Sequence, residues 1–131
     1  MAFGAVVAGG GCGASDSEAA GGRAAAYCGS IAEIAALDLL ADPTPAAVKS
    51  DLEHLLTLTR RAASVAPTEI RSDAGAAASA QDQFNALYAA HDWQTDPTNL
   101  DPAFIALSDD PALGALYLRL ERYQNRTCSN A

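Results

Sequence analysis

Basic side chains are scarce in this sequence: 8 Lys and Arg stand against 16 Asp and Glu in 131 residues, for a formal charge of -8. Such a chain lacks the positive surface that sequence-independent nucleic-acid binding requires, so no nucleic acid is expected among its partners. Bulky apolar residues are few as well. Alanine supplies 31 of the 65 residues in the hydrophobic set, beside one Trp, three Phe and four Tyr. That allows one modest core, and a chain of this length is read as a single small domain. No apolar run approaches the roughly 18 residues of a membrane-spanning helix. Alternation at period two is absent along the whole sequence, which removes the strand signal, and there is no internal repeat.

The materials of catalysis are equally thin. His54 and His91 are the only histidines, and neither has a metal-ligating partner four residues away. Asp51 shares a helix face with His54, while His91 falls at a helix end, where the dipole favours a cation without any function. There is no Gly-x-Ser-x-Gly and no Cys-x-x-Cys. The acid-rich stretches Asp96 to Asp101 and Asp109-Asp110 lie beside prolines, which marks them as caps and turn formers rather than glycosidase acids or a calcium loop. These observations predict no enzyme, no metal and no cofactor.

What the sequence does contain is helical period. Tyr27, Ile31, Ile34, Leu37 and Leu40 recur at three- and four-residue steps, predicting a first helix to about Leu40, with its ordered part beginning near Arg23 after Gly21-Gly22. Asp42-Pro43-Thr44-Pro45 stops the chain and supplies Thr44 as N-cap and Pro45 as first-turn residue of a second helix. That helix should present Val48, Leu52, Leu55, Leu56, Thr59 and Ala63 and end near Val65. A third, from Pro67 to about Asp92, has small contact positions in its first half (Ala74, Ala77) and large ones in its second (Phe84, Leu87, Tyr88), so its first half can approach a neighbour closely. Trp93 to Asp101 reads as a polar loop, the longest connection. Asp101-Pro102 then caps a short helix bearing Phe104, Ile105 and Leu107, and Ser108 to Pro111 caps a last one bearing Leu113, Leu116, Tyr117, Leu120 and Tyr123.

Three cysteines remain. Cys28 and Cys128 each lie at the edge of a helical segment with a Tyr nearby, and read as a disulfide. Closing a loop of about 100 residues would destabilise the unfolded chain by roughly 4 to 5 kcal/mol on the chain-entropy argument. It would also place the protein in an oxidising compartment. The alternative is a pair of buried free thiols in a cytosolic protein. Cys12 follows a small apolar patch and Gly10-Gly11. This order resembles the end of a bacterial lipoprotein signal, in which small residues precede the cysteine that receives the lipid; the alternative is a Gly/Ala tail with an incidental cysteine. The division of the chain is then a leader remnant and linker over 1–22 and a helical domain over 23–131.

Tyr27-Cys28, the Ala66-Pro67 and Glu69-Ile70 steps, and Tyr123 followed by Cys128 together resemble small secreted or lipid-anchored helical proteins of actinobacteria, over about residues 24 to 131. Seven Arg to one Lys, with the alanine content, agree with a high-GC genome. The resemblance implies the same pairing of a first-helix Cys with a C-terminal Cys, and no assigned activity. The fold expected is an all-α, small antiparallel helical bundle of four to five helices closed by that disulfide. The function expected is a non-catalytic, extracytoplasmic cell-envelope module that binds an unknown protein partner, touching membrane only through a lipid on Cys12. The alternative is a carrier or sensor of a small apolar ligand, with Phe84, Tyr88, Trp93, Phe104 and Tyr117 as the pocket candidates. The plainer reading of these aromatics is that they fill the core.

Overall fold

The computed structural model describes residues 21–128, and among them every regular element is a helix. Helix α1 covers 21–35, so Gly21 and Gly22, which the sequence reading left in the linker, are already helical. The others are α2 (Pro45–Val65), α3 (Arg71–Ala90, entered through a 3-10 turn at Thr68–Ile70), α4 (Thr95–Asn99), α5 (Pro102–Ser108) and α6 (Pro111–Thr127). This all-helical bundle has six helices among the described residues. Cys12 lies outside those residues. None of the described helices is long and apolar enough to cross a membrane.

The helix starts follow from local chemistry. Pro45, Pro102 and Pro111 occupy first-turn positions, where a missing N–H leaves nothing unsatisfied. Asp101 and Asp110 cap α5 and α6, their carboxylates accepting from the N–H groups of Ala103 at 2.8 Å and Ala112 at 2.9 Å. Thr44 holds the N-cap position of α2, but its side chain makes no capping bond. Instead the Asp42 carboxylate accepts from the Thr44 N–H at 3.0 Å, fixing the turn that precedes the helix.

On α2 the structure buries Leu58 and Ala62, where the periodicity pointed to Leu56 and Ala63, and it departs further at two connections. Helix α1 ends at residue 35, not near Leu40; Leu39 and Leu40 are exposed, and Leu40 has a φ of 63°. The chain must reverse before Pro43, which bars the α conformation at Asp42. The Leu40 N–H donates to the Asp51 carboxylate across that reversal at 3.3 Å. Second, the expected loop from Trp93 to Asp101 contains α4. Its Thr98 is fully buried, with the hydroxyl donating to the Gln94 carbonyl at 2.7 Å. The polar composition of Thr95-Asp96-Pro97-Thr98-Asn99 concealed a helical turn stabilised by that internal bond.

Helix α3 packs against both α2 and α6, antiparallel to each. Antiparallel α3 and α6 are joined at their surface by Asp73–Arg119, with two N–H···O bonds of 2.8 and 2.9 Å, and by Glu69–Arg126 at 3.1 Å. Asp73 is held below the usual carboxylate range, first by its hydrogen bonds from Arg119. The core falls into two clusters. One joins Tyr27, Ile70, Leu113, Leu116, Leu120 and Tyr123 with five alanines, Ala62, Ala66, Ala74, Ala77 and Ala80. The other joins Val48, Leu52 and Tyr88, with Leu55, Trp93 and Phe104 against them.

Candidate functional site: a cavity between four helices

The bridge expected between Cys28 and Cys128 is present, with Cα atoms 5.4 Å apart and 100 residues between them in sequence. It fastens α1 to the end of α6. Beside it the Tyr27 ring meets the Tyr123 ring edge to face at 5.8 Å, and the Gln124 amide donates to the Tyr27 hydroxyl at 3.0 Å. Tyr27 is 1% exposed. Burial, more than any neighbour, pushes its phenol up from the ordinary 10.0, so the group stays protonated. Such a bond persists in an oxidising environment, and cytosolic thiols are kept reduced.

Next to this fastened seam lies a cavity of about 270 Å³ to which four helices contribute. Helix α1 lends Tyr27, Ile31 and Ile34, one face at four- and three-residue steps. Helix α2 lends Leu55, Thr59 and Ala62, and α3 lends Ala74, Ala77 and Gln81. Helix α6 lends Tyr117, Leu120, Glu121 and Gln124. The space exists because alanines stand where α2 and α3 face α1 and α6; side chains ending at Cβ do not reach the middle. The Thr59 hydroxyl donates to the Leu55 carbonyl at 2.7 Å within its own helix, which leaves that wall effectively apolar. Tyr117 and Glu121 are exposed, so the cavity opens to solvent on the α6 side. Desolvation raises the Tyr117 phenol above 10.0, leaving it neutral at physiological pH.

The nominated aromatics divide between two places. Tyr88, Trp93 and Phe104 belong to the second cluster, with Phe104 edge to face against Tyr88 at 5.9 Å and against Phe84 at 5.4 Å, while Phe84 packs against the first cluster without lining the cavity. Tyr117 alone of the five lines the cavity. The other lining residues were missed, since alanine and threonine on an inward helix face carry no signal of a void until the partner helices are placed.

The second cluster closes on a tight reversal after α3. The Trp93 N–H donates to the Tyr88 carbonyl at 2.7 Å, and both Asp92 and Trp93 have left-handed backbones, with φ of 54° and 62°. His91, at the end of α3, pairs its Nε2 with the Asp101 carboxylate at 2.8 Å. Asp101 is held below the usual carboxylate range, first by His91 and then by the Ala103 N–H. His54 is exposed on α2. No group of His, Cys, Asp and Glu able to hold a metal ion occurs among the described residues. The carboxylates of Asp101 and Asp110 act as helix caps, as their proline contexts imply.

A shallower concavity between the start of α3 and the end of α6 is lined by Glu69, Asp73, Arg119, Arg122 and Arg126, whose charges largely neutralise one another through the ion pairs above. Comparison of the chain with protein-family models, with curated proteins and with solved structures finds no match.

Proposed function

We propose that the protein is a non-catalytic binding module of the bacterial cell envelope, secreted or held at the outer face of the cytoplasmic membrane by a lipid on Cys12. The observation that carries this reading is the Cys28–Cys128 bridge, a bond suited to an oxidising compartment. The small-small-Cys order at Gly10-Gly11-Cys12 supports the anchoring half of the proposal. The test is intact-mass spectrometry of protein expressed from its full gene in an actinobacterial host. Cleavage before Cys12 with added lipid mass, together with a bridged Cys28 and Cys128, is the expected result. An uncleaved chain with three free thiols would overturn it.

A second reading concerns what is bound, and the four-helix cavity favours it: the module carries or senses a small, largely apolar ligand. At about 270 Å³ the space lies near the lower end of ligand pockets. Native mass spectrometry of protein purified from its own host should show a co-purified small molecule, removed on denaturation. A clean apo mass under gentle ionisation would count against this reading and leave a protein partner as the object of binding.

A further inference from the structure

Glu121 stands at the mouth of the cavity as its one charged lining residue. It has no cationic partner among the described residues. On α6, Arg119 is held by Asp73 and Arg126 by Glu69, and on α2, Arg60 and Arg61 are paired with Asp82 and Glu33; Arg122, next in sequence to Glu121, lines the separate concavity between α3 and α6. Tyr117 lies four residues before Glu121 and Gln124 three after it, so all three share one edge of α6. The Gln124 amide nitrogen donates to Tyr27, and the Gln81 amide nitrogen donates to the Asn85 side chain at 2.9 Å. Their amide oxygens have no donor among the described residues. The polar rim therefore offers a carboxylate and two acceptor oxygens above apolar walls.

We infer that the cavity binds a small apolar amine, its ammonium group paired with Glu121 and its hydrocarbon body lodged among Ile31, Ile34, Leu55 and Ala74. The inference rests on the ligand-binding reading above and names its chemical class. An ammonium is a polar group that donates to carboxylate and amide oxygens alike, and the Tyr117 ring, one turn from Glu121, adds a face for the cation. A dry cavity of roughly 150 Å³ takes up benzene, so the larger space here accommodates a body of one or two fused rings or an aliphatic chain of similar bulk. The net charge of -8 draws cations toward the surface and disfavours apolar acids.

Isothermal titration of the oxidised protein with naphthylmethylamine, naphthylmethanol and naphthylacetate tests this, in the wild type and in Glu121→Gln. Residue 121 is exposed, so the substitution leaves packing intact, which circular dichroism checks. The amine should bind about threefold to tenfold more tightly than the alcohol, with the acid weakest, as one partly solvated ion pair warrants. Glu121→Gln should weaken the amine toward the alcohol's affinity and affect the amine more than the alcohol. An alcohol or acid that matches the amine in the wild type, or an amine indifferent to Glu121→Gln, overturns the amine assignment while the ligand-binding reading stands. Failure of all three compounds to bind overturns the amine assignment, and the native mass spectrum alone then decides the ligand-binding reading.

Discussion

Around the bridge, five of the eleven buried core residues are alanines, and the packing leaves a cavity of about 270 Å³; around Tyr88 and Phe104, bulky rings meet edge to face. The first region adds a covalent fastening to its Tyr27–Tyr123 contact, because its alanines, ending at Cβ, contribute little buried area per residue. The second relies on aromatic contact and tolerates two consecutive left-handed residues, Asp92 and Trp93, at its edge. The cavity and the cluster around Tyr88 thus lie in different parts of one small core. The bridge compensates where the packing is light.

Removing the bridge should have the largest effect. The double variant Cys28→Ser, Cys128→Ser is expected to lose about 3 to 5 kcal/mol, for a loop of this length, in urea denaturation of the oxidised proteins. A loss below about 1 kcal/mol would mean that packing alone secures that half. Next comes Tyr88→Ala, which opens a hole among Val48, Leu52 and Phe104 and should cost about 3 kcal/mol in the same assay. If Tyr88→Ala cost more than loss of the bridge, the ranking of the two regions would be reversed.

Smaller effects sharpen the edges of the second region. Asp92→Gly, at an exposed position with a φ of 54°, should raise stability by about 0.5 kcal/mol, since glycine adopts that backbone freely. A fall in melting temperature would show that the Asp92 side chain matters more than its backbone. The smallest effect is acid-dependent. Asp101 has a folded pKa below its ordinary 3.8, through His91 and the Ala103 N–H. Its stabilisation is therefore complete above that ordinary value and disappears as pH falls through the lower folded one. Asp101→Asn keeps the helix cap and removes the charge, so its melting temperature should decline less steeply than the wild type's below about pH 4. Parallel declines would show that Asp101 contributes nothing to acid stability.

The sequence made the helix starts legible where a proline follows an N-cap residue: Pro45 after Thr44, Pro102 after Asp101 and Pro111 after Asp110, and the end at Val65 falls where periodicity placed it. It made the bridge legible because two cysteines bordered the first and last helices. Leu40 misled, since its spacing continues the helical period while the following Pro43 imposes a reversal that spacing does not register. Helix α4 was hidden by turn-forming residues, because Thr98 satisfies its own hydroxyl within the turn and is buried there. The cavity was illegible for a different reason. Ala74 and Ala77 read as sites of close approach, and only the positions of α1 and α6 turn them into the walls of a space.

The claim that the bridge secures one region while packing secures the other is tested most directly by hydrogen exchange at each backbone amide, with and without reductant, at a temperature where the reduced chain is still folded. Reduction should speed exchange across residues 24–35 of α1 well beyond any change at the Tyr88 end of α3. Equal acceleration in the two regions, or none in α1, would contradict it.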